Sequence, residues 1–562
     1  MLMRERALTP IPKPALVARE AARRLPRLPL LLLCTAYVLP GLIGRDPWRN
    51  ADLTAFGQML AMAQGRTSWW TPSLGGIPTD AALLPTWIGA ASIWLTDGAL
   101  APALAARLPF AALLALTLLA VWYATFHLAR TEAAQPLAFA FGGEAPPAEY
   151  ARAIADGALL ALIATLGLLQ LGHETTPELA QLAALSGLLW ALACADHSPM
   201  AARVGLILAL PALAASDAPA LASVIGLAAC ALSWRSVLPG GRAVLPWIIA
   251  GTVLSLLVAW PLHSWKWRIA PNIDPAQALR LWLWFLWPAG ALAALTLWRW
   301  RRYLGRAHLS VPLLSVLSGL VACLGMGGSD RALMLALPGV AILAAFALPT
   351  LQRGTAAAID WFSVFFFTLS AAAIWMFYMA MHLGWPAKPA ANVLRLLSGY
   401  RPPFSASELL LGVCATLAWI WLVRWRTGRH RSALWRSLVL PASGVALSWL
   451  LLMTLWLPAL DHARSYRSAI GQLARVLPAG SCVSAPTAPP VLVAAMEYYT
   501  GRRVDARRLH ADEVVCDALL LVQPTPARGA PPSAKWVELE RTRRPTERQE
   551  TLVLYRRPRD PA

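Results

Sequence analysis

Along the chain, apolar residues come in long blocks separated by short polar connections, from about residue 28 to residue 457. A helix needs roughly 17 to 25 mostly apolar residues to cross about 30 Å of hydrocarbon, and the blocks recur near that length. Lipid cannot satisfy an exposed backbone amide, and the alternation of a membrane barrel is absent, so the blocks predict helices. Thirteen spans are expected, at residues 28–43, 103–127, 152–171, 177–194, 201–215, 218–234, 243–263, 281–297, 309–326, 332–350, 358–383, 406–423 and 437–457. Beyond residue 457 the pattern changes. Short apolar runs at 490–495, 518–522 and 551–555 alternate with charged segments and prolines, which predicts strands and a small α/β domain over 458–562. The connection 44–102 also stands apart, because it is long and carries two tryptophan-rich patches. Its apolar stretch 81–95 is short for a span and is expected to lie along the membrane surface or to re-enter it. The predicted fold class is an all-α polytopic membrane protein with a C-terminal α/β domain.

Composition agrees: 58% of residues are apolar and only 14% charged, which excludes an ordinary soluble chain of 562 residues. The formal charge of +20 raises the question of nucleic acid, but the arginines lie in short runs between spans rather than on one surface, so no nucleic-acid partner is expected. Their placement reads instead as topology. Residues 1–27 hold Arg4, Arg6, Lys13, Arg19, Arg23, Arg24 and Arg27, and the even-numbered connections hold Arg130, Arg203, Arg235, the run Arg299 to Arg306, Arg353 and the run Arg424 to Arg436. The positive-inside rule puts these on the cytoplasmic side, and an odd span count then places residues 458–562 outside. No small-residue cleavage site follows the first block, which reads as an uncleaved anchor. The 27 tryptophans suit interfacial belts. The outward domain is basic and would sit readily against anionic lipid. Five cysteines fall in spans and read as packing residues, whereas Cys482 and Cys516 share the outward tail and are expected to form a disulfide.

Charges at the outward ends of spans are costly and therefore informative. The connection 44–102 contains Asp46, Asp52 and Asp80; the turn after the third span contains His173, Glu174 and Glu178; the loop after the ninth contains Asp330 and Arg331. Taken singly, acids such as Asp330 and Glu178 read most simply as helix caps or dipole partners. Asp46 precedes Pro47 and is expected to be a turn residue. Asp52 opens the amphipathic run Leu53, Phe56, Met59, Leu60, whose apolar face is expected to lie on the membrane and hold the acid at headgroup level. No ligand set calls for a metal.

The order of these features resembles the GT-C glycosyltransferases that use polyprenyl-phosphate sugars, notably the lipid A aminoarabinose transferases and the protein O-mannosyltransferases. The resemblance runs from the acid-bearing segment at Asp52 through Ser68-Trp69-Trp70-Thr71-Pro72-Ser73-Leu74-Gly75-Gly76, Leu84-Pro85-Thr86-Trp87 and Ala106-Arg107-Leu108-Pro109. It continues at His173-Glu174, Glu178 and the helix start Arg331–Gly339, and in the tail at Leu460 to Arg467 and Glu497-Tyr498-Tyr499-Thr500-Gly501. Two positions depart from the pattern. Ala51 precedes Asp52 where paired acids are common, and Ala81 follows Asp80 where a lysine would meet the lipid phosphate. The resemblance implies a multi-pass enzyme of the bacterial inner membrane that moves a sugar from a polyprenyl-phosphate donor to a lipid, glycan or protein acceptor on the periplasmic face. It makes Asp52 the expected base, with Glu178 or Glu174 as second acid, because a carboxylate must take the acceptor's proton. Arg49, Arg331, Lys266 and Arg268 are the expected phosphate contacts, since guanidinium and ammonium groups stabilise the departing phosphate. Asp80, Trp87 and Asp330 complete the expected substrate site. No cofactor is required, and a divalent cation is compatible with the chemistry. A transporter or flippase is the main rival, against which no internal repeat is found. An inactive scaffold that binds lipid-linked sugar is the other, kept open by Ala81.

Overall fold

The fold is that of a computed structural model, which describes residues 17–557 apart from 49, 138–142, 266–268, 271–273, 398, 429–432, 478–479, 508–515, 526–532, 534–535 and 548. Each expected span falls on a helix or a pair of helices. Among the described residues, seven helices are long and apolar enough to cross a membrane alone: Pro102–Ala129, Gly241–Ala259, Ala307–Gly325, Asp330–Thr350, Arg353–Leu383, Ala406–Thr427 and Arg436–Leu455. The pair Pro275–Phe285 and Ala289–Arg299, bent by 101°, makes an eighth if taken as one broken span. The count of thirteen therefore rests on five shorter or more polar segments, Arg27–Val38, Pro147–Ala164 with Leu166–Leu171, Pro177–Ala193, Pro199–Ala215 and Pro219–Trp234.

The bundle has an inside and an outside. In the most apolar 18 residues of Asp330–Thr350, 94% are buried in protein, against 11% in those of Ala406–Thr427, so the first is central and the second faces the surroundings. Small residues let the central helices approach closely, as packing in lipid demands. A methyl added at Gly339 would fall 2.2 Å from the Pro312 carbonyl, and one at Gly444 would fall 2.2 Å from the Phe367 ring.

The connection 44–102 folds as a helix Asn50–Ala63, a short hairpin of strands β1 (Ser73–Leu74) and β2 (Ile77–Pro78), and a helix Leu83–Thr96. Asn50–Ala63 does not lie on a membrane surface as its pattern suggests. From Asp52 to Met62 only Thr54 escapes burial, because the helix packs between Leu83–Thr96 and a helix of the C-terminal region.

That region begins with helices Leu457–Arg464 and Arg467–Val476. Its strands β3 (Val483–Ser484), β4 (Val504–Asp505), β5 (Ala518–Pro524), β6 (Val537–Thr542) and β7 (Glu550–Arg556) form a mixed sheet in the order β4-β3-β5-β7-β6. β3 runs parallel to β4 and β5, and β7 antiparallel to β5 and β6. A disulfide joins Cys482, just before β3, to Cys516, just before β5. The run 490–495, expected as a strand, is instead the start of helix Pro490–Thr500. Six apolar residues carry no decisive period, and the flanks decide: Pro490 opens the first turn and Gly501, at φ +66°, closes the last.

Candidate functional site

Three segments far apart in sequence meet at the turn 172–176, between helices Leu166–Leu171 and Pro177–Ala193. From the first connection comes Asp52, 2% exposed, whose Oδ1 accepts from the Thr175 amide at 2.7 Å and the Thr175 hydroxyl at 2.8 Å. Asp52 sits in the first turn of its helix, yet these contacts go to another element, so it is no simple cap. From the start of Asp330–Thr350 comes Arg331. Its guanidinium donates to Glu174 Oε2 at 2.5 Å and lies 3.6 Å from Glu178 Oε2. Glu174, itself 2% exposed, also accepts from Gln170 Nε2 at 3.2 Å. Glu178 follows Pro177 in the first turn of its helix, where a carboxylate also favours the dipole. The sequence-derived acids Asp52, Glu174 and Glu178 and the base Arg331 thus gather on one turn. Arg331 supplies the positive charge between the two glutamates.

Two further arginines, unmarked as site residues by the sequence, fix this turn from below. Arg45 is 3% exposed and donates to the His173 carbonyl, while Arg107 donates to the Arg45 carbonyl. Burial and the neighbouring Arg107 push the Arg45 guanidinium down to about 10, so it stays charged at neutral pH. Burial, then Arg45, lowers the His173 imidazole to about 4, against the Leu169 and Tyr37 carbonyls, which face its two ring nitrogens at 2.7 and 2.8 Å and favour the protonated ring. The available signal for Arg107 was its place at the head of an apolar span, where a charge needs a reason.

Asp46 is not the turn residue expected from its proline neighbour. It is 3% exposed and takes a two-pronged ion pair from Arg467, at 2.8 Å from Nε and 2.5 Å from Nη2. Its amide donates at 3.0 Å to Asp461 Oδ1, which also accepts from the Trp48 indole. Burial first, then the charge of Asp46, raises the Asp461 carboxyl to about 6, against opposing hydrogen bonds from Trp48 and the Asp46 amide. The first connection is thereby tied to the segment that follows the last span. Arg66 and Glu497 make a second tie, with Nη1 to Oε2 at 2.5 Å.

The remaining expected residues lie elsewhere. Asp80 is exposed on the rim of a cleft of ≈ 1090 Å³ between the β1–β2 hairpin and the C-terminal region, walled by Thr54, Gln58, Pro489 and Leu521. Trp87 donates to the Trp69 carbonyl at 2.6 Å and packs edge-on against Trp70, which makes it a brace within the connection. Asp330 lines a smaller hollow of ≈ 480 Å³ with Arg280 and Trp284. Its helix is capped by Ser329, so Asp330 is not the cap. Arg49, Lys266 and Arg268 lie outside the described residues. Among the described residues no group of three or more His, Cys, Asp or Glu side chains is placed to hold a metal.

No family model and no curated protein matches the sequence. The fold does match solved structures. ArnT from Cupriavidus metallidurans bound to undecaprenyl phosphate superposes with a TM-score of 0.60 at 14% identity, over 94% of this chain and 96% of that one. The same protein in its apo state gives 0.58 at 13% identity over the same shares. An oligosaccharyltransferase of Archaeoglobus fulgidus gives 0.45 at 10% identity, over 85% of this chain and 64% of its own. The chain therefore shares the fold of that ArnT structure, a multi-pass helical domain followed by a small sheet-containing region.

Proposed function

We propose that the chain is a membrane glycosyltransferase, which takes a sugar from a polyprenyl-phosphate donor and passes it to an envelope acceptor on the periplasmic side of the bacterial inner membrane. The carrying observation is the gathering of Asp52, Glu174, Glu178 and Arg331 on one turn, within a fold shared with a protein solved on undecaprenyl phosphate. In this reading an acceptor oxygen, of lipid A, another glycan or a protein, attacks the anomeric carbon. The bond from that carbon to the phosphate oxygen breaks, and its electron pair leaves with the polyprenyl phosphate. Asp52 takes the acceptor's proton, and Thr175 aims the carboxylate by holding Oδ1. Arg331 holds Glu174 and Glu178 in place, and Arg49, Lys266 and Arg268 are the groups this reading assigns to the phosphate. No cofactor is required in this reading, and a divalent cation is compatible with it.

Asp52→Asn separates chemistry from structure, because the amide oxygen can still accept both Thr175 bonds while the base is gone. Transfer by the purified, correctly folded variant should fall by about 10²- to 10⁴-fold. Near-normal transfer would reject Asp52 as base. Mass spectrometry of lipid A and other envelope glycoconjugates from a deletion strain identifies the acceptor, and an unchanged envelope would reject glycosyl transfer. Ala81, in place of a lysine, favours one second reading, a scaffold that binds the lipid donor without turning it over. Retention of undecaprenyl phosphate with no product from any acceptor would select it.

A further inference from the structure

At the opposite end of the bundle from the acidic turn, the connections 300–306 and 351–352 enclose a hollow of ≈ 730 Å³. Helix Asp330–Thr350 connects the two places. Arg331 lies at one end with Glu174, and Thr350 at the other lines the hollow; twenty-one residues of helix span about 30 Å, the thickness of the hydrocarbon. The hollow is walled by Arg299, Arg301 and Arg302, with Tyr303, Gln352 and Thr355 as further polar groups, and its lining contains no carboxylate. Arg299 is braced by donating to the Thr350 carbonyl at 3.0 Å. Arg301 lies over the Trp298 ring, 4.6 Å from its centroid, and that indole is 71% exposed. An exposed tryptophan carrying an arginine marks the level of the lipid headgroups, and leucines 295 and 351 give the hollow an apolar floor suited to glycerol and acyl carbons.

A positive-inside loop needs only to be basic and solvated. Here two separate connections converge, and three exposed guanidinium groups line one concavity that holds no carboxylate among the described residues. Guanidinium groups pair with phosphate oxygens in two-pronged fashion, and basic pockets between helices on the cytoplasmic side suit phosphorylated headgroups. We infer that this hollow is a binding site for an anionic phospholipid of the arginine-rich leaflet, one whose headgroup carries two phosphates. It is separate from the acidic turn and does not depend on glycosyl transfer.

The test uses the full-length protein purified in detergent and delipidated. Cardiolipin, phosphatidylglycerol and inorganic pyrophosphate are titrated against the wild type and against Arg301→Gln/Arg302→Gln, with lipid retention read by native mass spectrometry and stability by thermal melting. Cardiolipin should be retained and raise the melting temperature more than phosphatidylglycerol, and the double variant should bind it about thirtyfold more weakly. Thr355→Trp fills the hollow from the other wall with the arginines intact and should weaken retention likewise. This second variant decides the matter if the first does not fold. Equal retention by the folded variants would overturn the site. Stabilisation by pyrophosphate equal to that by cardiolipin would overturn the lipid assignment in favour of a soluble phosphate.

Discussion

Asp46 and Asp52, six residues apart, are both buried but serve different partners. Asp52 reaches the turn 172–176 and Asp46 reaches Arg467. Between them, Asp461 accepts from the Asp46 amide and the Trp48 indole and has its carboxyl raised to about 6 from an ordinary 3.8. The raised value means the folded protein holds this proton at pH values where the unfolded chain has released it. The contribution of Asp461 to stability is therefore greatest below about 4 and is lost as pH rises through about 6. Lowering the pH from 7 to 5 should raise the melting temperature of the wild type relative to Asp461→Asn, whose amide oxygen can accept the same two bonds without titrating. A difference between the two proteins that stays flat over this range would show that burial and Asp46 do not set the proton affinity. The carboxylates of the acidic turn were legible in the sequence because outward charges are scarce in an apolar chain. Their partners were not. Asp46 to Arg467 spans 421 positions, and nothing local to Asp46-Pro47 distinguishes an ion pair at that distance from a turn.

At the level of elements, apolar length and flanking arginines revealed where the helices are, since hydrocarbon imposes one solution on any long apolar block. Amphipathic pattern was a poorer guide to what a helix packs against. Leu53, Phe56, Met59 and Leu60 gave Asn50–Ala63 the pattern of a surface helix, but its other face is made of small residues that a neighbour also covers. Gly57 is the closest approach: an added Cβ would lie 2.4 Å from the Cβ of Ala494 and 3.2 Å from its Cα, on helix Pro490–Thr500. Gly57→Ala should therefore destabilise the protein by about 1 to 3 kcal/mol by forcing the two helices apart, seen as a lower melting temperature. The run 490–495 looked like a strand for the same reason that short apolar runs are ambiguous, and its helical nature is what lets Ala494 meet Gly57.

For the whole molecule, the proposed topology, drawn from the arginine asymmetry and an expected thirteen spans, has the N-terminus in the cytoplasm and the C-terminal region outside. A reporter joined after Ala562 should behave as periplasmic. Cytoplasmic activity there would overturn the orientation and with it the periplasmic site. The ties between the first connection and the last hundred residues, Asp46 to Arg467, Trp48 to Asp461, Arg66 to Glu497 and the Gly75 carbonyl to the Ala506 amide, also impose an order on biogenesis. In the proposed topology the first connection would be exported early in translation, but every one of these partners is synthesised after the final expected span. Until the ribosome has finished, residues 44–102 would then wait outside without these C-terminal partners. Chains cut after residue 456 should insert in the membrane yet leave that connection open to added protease, whereas the full-length chain should resist it, so that synthesis of the tail acts as the maturation step for a site encoded near the start.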